Sequence, residues 1–331
     1  MSRWIALALA LVALVTVPLW IGNSYYVNIV SQILIYAIFA LGLNVLVGYA
    51  GLVSLGHAGI FGLAAYAAAW FLAAGAGQFS AAVVALALII LASAGFAVLS
   101  LRATGIGFLM ITLAIGQILW GLAYRWIELT GGDNGINVAS RPAPFGVSLT
   151  LPTPFYFFTL VIFLIAVASM AILVDSPFGA SLKGTRDQPR RMTALGYNVW
   201  LIRFLAFLFS GFWSGVAGLL FCYYNQFVSP NVLALDASAE VLLMVISGGT
   251  ATLLGPIAGA ILVILVKDIV SAYIERWNLV LGAIFVLIVV FMPEGLVPGS
   301  ARLWSWATAA RRRPRGTAMR PLPLAGEETI E

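Results

Sequence analysis

Apolar residues run along this chain in long blocks with few polar interruptions and no two-residue alternation. A helix needs about 20 consecutive apolar residues to cross a bilayer, and blocks of that length read as membrane helices. They fall at residues 4–22, 26–47, 58–74, 80–101 and 106–124, and then at 155–174, 199–223, 237–254, 256–274 and 279–292. The expectation is an all-α, polytopic membrane fold with about ten crossings, some of them broken or re-entrant. A β-barrel would need polar residues alternating inward along short strands, whereas these segments are apolar on nearly every side. The first block follows Arg3 and shows no small-x-small cleavage pattern over 16–22, so it is expected to remain as an uncleaved helix rather than leave as a signal peptide.

Composition excludes a soluble globule. Of the 331 residues, 62% are hydrophobic and 9% charged, against about 25% charged in an ordinary soluble domain. The net charge of +5 does not mark a nucleic-acid binder, because the basic residues are confined to short segments between apolar blocks. They report orientation instead, since positive loops stay in the cytoplasm. Lys183, Arg186, Arg190, Arg191 and Arg203 mark one loop, and Arg302, Arg311, Arg312, Arg313, Arg315 and Arg320 mark the C-terminal tail. An even number of crossings separates the two, and the intervening loop 225–235 has neither Lys nor Arg. Both termini are then cytoplasmic. The chain divides into a transmembrane domain over 1–300, with a cytoplasmic loop at 176–198 and a periplasmic loop at 125–154, and a basic tail over 301–331 read as disordered.

The chain is poor in reactive groups. Cys222 and His57 are single representatives of their types, so neither an internal disulfide nor a Cys- or His-based metal cluster is expected. The glycine-containing loops 130–135 and 179–185 lack the Gly-Lys-Ser/Thr ending that cradles phosphate. No cofactor is expected on this chain; ATP and Mg, if they drive it, sit on partner subunits. The absence of clustered acids, His or Cys disfavours a membrane-embedded enzyme.

Two segments interrupt the apolar pattern. Residues 44–62 carry Asn44, Gly48, Gly51, Ser54, Gly56, His57, Gly59 and Gly62, too much glycine and polarity for a lipid-facing helix. Residues 247–259 carry Ser247, Gly248, Gly249, Thr250, Thr252, Gly255, Pro256 and Gly259. Two readings fit: close helix packing across small residues, or backbone breaks lining a path, as Gly- and Pro-interrupted segments do in transporters. Leu55-Gly56-x-x-Gly59 and Leu254-Gly255-x-x-x-Gly259 share a loose pattern, and both fall near the cytoplasmic face, which suits a parallel repeat. Asn44, Gly48, Gly51, Ser54, His57, Thr112, Gln117, Gly248 and Gly249 are the path candidates, with interhelical hydrogen bonding the competing role for the polar ones. Ionisable groups inside spans reduce to Glu240, Lys267 and Asp268. Lys267 is expected to snorkel to the outer interface, and the dearth of buried acids argues against a proton-coupled carrier.

The loop 176–198 is the most informative. Ser176 can cap a helix with Pro177 behind it, Pro189 can start a second short helix, and Gly196 can end it. Met192 and Leu195, three apart, suit docking in a partner's groove, while the charges alone would suit anionic lipid.

Here the sequence resembles a known family, the permease subunits of branched-chain amino acid ABC transporters, and within it the LivM branch. The resemblance rests on Leu43-Asn44-Val45-Leu46-Val47-Gly48-Tyr49-Ala50-Gly51, Ser54-Leu55-Gly56-His57-Ala58, Leu129-Thr130-Gly131-Gly132-Asp133-Asn134-Gly135, Ala194-Leu195-Gly196, Phe227-Val228-Ser229-Pro230, Leu254-Gly255-Pro256 and Pro293-Glu294-Gly295-Leu296. It implies a multi-pass protein of the bacterial inner membrane, partnered by a homologous permease, two cytoplasmic ABC ATPases and a periplasmic solute-binding protein. It also implies that Arg186, Asp187, Arg190, Ala194, Leu195 and Gly196 belong to the element that couples to the ATPases. The segment Asp187-Gln188-Pro189-Arg190-Arg191 departs from the family's usual Asn-Glu pair after the arginine. The substrate would pass as a zwitterion, with helix ends offering N–H groups to its carboxylate and carbonyls to its ammonium. An ABC permease for urea, short amides or aromatic acids shares the same scaffold, and a self-sufficient secondary carrier is the rival from another class.

Overall fold

In the computed structural model, the structure describes residues 13–16, 18, 23–75, 77–138, 141, 149–273, 277–292, 294–300 and 302. The block expected at 4–22 and the tail at 301–331 therefore lie largely outside the described residues.

Asn23 opens the first long helix, its side-chain oxygen accepting from the Tyr25 amide at 3.0 Å, and α1 then runs Ser24–Asn44. It continues as a π-turn over Val45–Ala50, the wide helical form that often sits at functional positions. α2 (His57–Ala73), α3 (Gln78–Ser100) and α4 (Ile106–Arg125) follow. A short α5 (Ile127–Thr130) leads through glycines 131, 132 and 135, all at positive φ, to strand β1 (Ile136–Asn137). α6 (Pro152–Asp175) returns across the bundle and hands over to α7 (Pro177–Asp187) and α8 (Pro189–Ala194). α9 (Val199–Asn225) ends in Gln226 at φ +55, which turns the chain into β2 (Phe227–Val228). α10 (Leu235–Gly248), α11 (Gly255–Ser271) and α12 (Trp277–Phe291) complete the described fold.

The order of burial explains the architecture. Along α1 with its π-turn, 83% of the most apolar stretch is buried, against 22% along α4. α1 is the central post, with α6, α9, α10 and α11 packed around it. α3, α4 and α6 turn large apolar side chains outward, among them Leu91, Ile118 and Ile172, each at least two-thirds exposed. Such a surface suits lipid, because no water-facing fold tolerates that much contiguous apolar area.

Among the described residues, five helices are long and apolar enough to cross a membrane: the one at Ser24–Ala50 and those at Phe79–Ser100, Ile106–Arg125, Pro152–Asp175 and Val199–Asn225. α2 and α12 are shorter apolar helices. The run expected at 237–254 stops at Gly248, because Gly249 at φ +119 and Ala251 at φ +58 leave the helical region. The sequence pattern also missed β1 and β2, two residues each, which pair antiparallel as Ile136↔Val228 and Asn137↔Phe227. Strands this short have no readable periodicity. Their pairing joins two of the loop motifs that carried the family resemblance.

Candidate transport site

The two interruptions meet in the core. Asn44 closes α1, and its amide clasps the second interruption from both sides: Oδ1 accepts from the Ala251 amide at 3.1 Å, and Nδ2 donates to the Thr252 carbonyl at 2.8 Å. Glycine at 48 makes this approach possible, since a Cβ there would fall onto the Ala251 backbone nitrogen. Thr252 finishes the turn by donating to the Gly249 carbonyl at 2.8 Å and accepting from the Gly255 amide at 3.0 Å, which starts α11. Gly248 lies directly against Gly255, with no room for a side chain. The Ala251 amide and Thr252 carbonyl freed by the second break are thus answered by the Asn44 side chain, as a protein interior at membrane depth requires.

α7 is seated on the first interruption. Arg186 Nη1 donates to the Gly48 carbonyl at 2.7 Å, and its aliphatic stem lies over Gly51, which sits at φ +69 and ends the π-turn. Asp187 accepts from Arg186 Nε at 2.9 Å, orienting the guanidinium fork. The Lys183 ammonium lies over the Tyr49 ring, 5.6 Å from its centroid. The local sequence builds this element as expected: Ser176 caps α7 by accepting from the Gly179 amide at 3.2 Å, Pro177 and Pro189 stand at the starts of α7 and α8, and Gly196 follows α8 at φ +87. Met192 packs on Gly184, whereas Arg190, Ala194, Leu195 and Gly196 are exposed, Leu195 to 64%.

A second network ties the start of α2 to its neighbours. His57 Nδ1 lies 2.8 Å from Ser54 Oγ, and Nε2 lies 2.9 Å from Ser210 Oγ, all fully buried. Ser210 donates its proton to the Gly42 carbonyl at 2.6 Å, so it can only accept from His57 Nε2–H. Nδ1 then accepts from Ser54, and the imidazole is held neutral with both nitrogens satisfied. Thr112 accepts from the Leu55 amide at 3.3 Å and donates to the Leu109 carbonyl at 2.9 Å. Ser54, His57 and Thr112 therefore join helices in this structure. Gln117 is half-buried on α4 and takes no part in either network.

A cavity of about 640 Å³ opens between α1, α2, α9, α10, α11, α12 and the segment 229–234. Tyr36, Phe39, Phe61 and Phe221 form an aromatic cluster at its wall, with Phe39 and Phe61 stacked at 4.6 Å and Phe61 and Phe221 at 5.2 Å. Also on its wall, Lys267 Nζ contacts both Glu240 carboxylate oxygens at 3.0 and 3.1 Å. Lys267, expected to snorkel to the outer interface, thus has its ammonium paired with Glu240. Its side chain is 33% exposed and that of Glu240 14%; a lone charge at bilayer depth costs about 2.5–3.5 kcal/mol on insertion scales, which pairing offsets. Asp268 points elsewhere, as a neighbouring helical position must, and accepts from the Tyr25 hydroxyl at 2.9 Å. The pairing went unread because Glu240 and Lys267 lie on different helices, although they were two of the few charges within apolar runs.

A multi-pass helical bundle with two broken helices clasped at its centre has the architecture of a membrane transport protein. Family comparison narrows this: the family described as "Branched-chain amino acid transport system / permease component" matches residues 25–289, and the chain belongs to it. The chain is 32% identical over 305 residues to the high-affinity branched-chain amino acid transport system permease protein LivM of Salmonella typhimurium (strain LT2), covering 82% of this chain and 70% of the relative. Identity to LivM of Escherichia coli (strain K12) is the same over the same span. A shorter likeness, 30% over 176 residues, links it to the autoinducer 2 import system permease protein LsrC of Yersinia pseudotuberculosis (strain PB1/+), covering 50% of this chain and 47% of that one. No solved structure matches.

Proposed function

We propose that this chain is the membrane-path subunit of an ATP-driven importer of branched-chain amino acids, residing in the bacterial inner membrane with both termini cytoplasmic. The supporting observation is the seating of α7 on the first interruption. Arg186 grips Gly48, and Asn44, one turn away, grips the second interruption. A displacement of α7 is thereby transmitted to the contact between the two interruptions. The exposed α8, with Leu195, Arg190 and Arg191 outward, is the surface offered to a cytoplasmic ATPase, where ATP and Mg are held. A periplasmic solute-binding protein engages the opposite end, where the β1–β2 pairing ties two loops together. A homologous permease completes the pathway. Asn44, Gly48, Gly51, Gly248 and Gly249 line the passage when the clasp parts, giving solute a route past backbone groups rather than fixed charges.

Proteoliposomes holding this chain with its ATPases, partner permease and binding protein should accumulate labelled leucine only when ATP is inside the nucleotide compartment. The chain alone should accumulate none under a proton or sodium gradient. Gradient-driven uptake by the isolated chain, or preference of the full complex for urea over leucine, would overturn the reading.

A further inference from the structure

Resting on that reading, we infer that the cavity bounded by α1, α2, α9, α10, α11, α12 and the segment 229–234 is a binding chamber for a zwitterionic amino acid with an apolar side chain. The Glu240–Lys267 pair recognises the charged end, and the rings of Tyr36, Phe61 and Phe221 receive the side chain. Three observations converge. The cavity holds about 640 Å³, ample for one amino acid. Its wall carries an aromatic cluster in which Tyr36 lies 6.3 Å from both Phe61 and Phe221. The same cavity is lined by an ion pair that presents both signs side by side.

A zwitterion laid along that pair sets its carboxylate toward the Lys267 ammonium and its own ammonium toward Glu240, so the charges alternate. Asp236 lies one turn from Glu240 on the same face of α10, nearer the mouth, and meets the incoming ammonium. The pair neutralises itself once the solute leaves, so neither the loaded nor the empty chamber strands a charge in apolar surroundings. Phe61 also sits one helical turn from His57 on α2, which places the side-chain wall on the same rigid element as the start of the first interruption.

The test uses the complete importer in proteoliposomes. Replacing both partners, Glu240→Gln with Lys267→Gln, leaves neither partner's charge unpaired, and co-purification of the subunits shows that the complex assembles. Leucine uptake should fall by about tenfold or more, the scale of losing a charge-assisted contact. Uptake within twofold of the parent would overturn the chamber. A second measurement does not depend on folding of the variant: photo-leucine, the diazirine analogue, is irradiated with the unaltered complex during turnover. Adducts on Tyr36, Phe61 or Phe221 that excess leucine suppresses support the assignment, and adducts confined to other segments refute it. An unaltered complex that takes up no leucine would fail at the functional reading itself and remove the chamber with it.

Discussion

Arg186 of α7 donates to the Gly48 carbonyl at 2.7 Å, reaching across 138 residues of sequence to hold the backbone of a π-turn. The acceptor is available because a π-turn leaves backbone groups out of regular register. The guanidinium reaches it because Gly51 offers no side chain beneath the arginine stem. Any force on α7 therefore arrives at the turn that carries Asn44.

Asn44→Ala removes both halves of the clasp and leaves the Ala251 amide and the Thr252 carbonyl without their partner. Each such buried group costs about 1–3 kcal/mol, and the melting temperature of the purified chain should drop accordingly. Asn44→Asp keeps the acceptor toward Ala251 but loses the donor toward Thr252, so its melting temperature should fall between the two. Equal values for Asp and Ala would show that the Ala251 contact contributes nothing.

Glycines 48 and 95 should respond in opposite directions to the same change. Gly48→Ala drives a methyl into the Ala251 backbone, an overpacking whose cost is typically about 1–3 kcal/mol. Gly95 lies in α3 with nothing within 4 Å of a Cβ, and alanine there should stabilise by about 0.5–1 kcal/mol through helix propensity. Thermal unfolding in one detergent compares the two directly.

His57→Ala leaves the Ser54 hydroxyl without an acceptor, while Ser210 keeps its bond to the Gly42 carbonyl, and should lower stability by about 1–3 kcal/mol. Because the three side chains act as one network, Ser210→Ala combined with His57→Ala should cost less than the sum of the single changes. Strict additivity, measured by thermal unfolding, would separate the two residues energetically.

The helical character of the chain and the five long apolar helices were legible because lipid imposes a long, uniform apolar signal on each crossing. Ser176, Pro177, Pro189 and Gly196 were legible for a different reason: capping chemistry is local, and the two short helices α7 and α8 begin and end where those residues dictate. Long-range pairings were not legible. Asn44 was marked as a path residue, yet its contacts with Ala251 and Thr252 depend on how two distant helices pack. Glu240 and Lys267 stood out as charges in apolar runs, but only the packing of α10 on α11 brings them together. The aromatic cluster was hidden because rings at membrane depth look like any other apolar position until three helices converge.

The most direct measurement of the central claim is the ATPase activity of the reconstituted complex carrying Arg186→Ala, with and without leucine-loaded binding protein. The account predicts that basal hydrolysis persists, that leucine-dependent stimulation disappears, and that uptake falls by about tenfold, the scale of a lost charge-assisted hydrogen bond. Full stimulation with full uptake would show that work reaches the clasp by some other contact and would contradict the account.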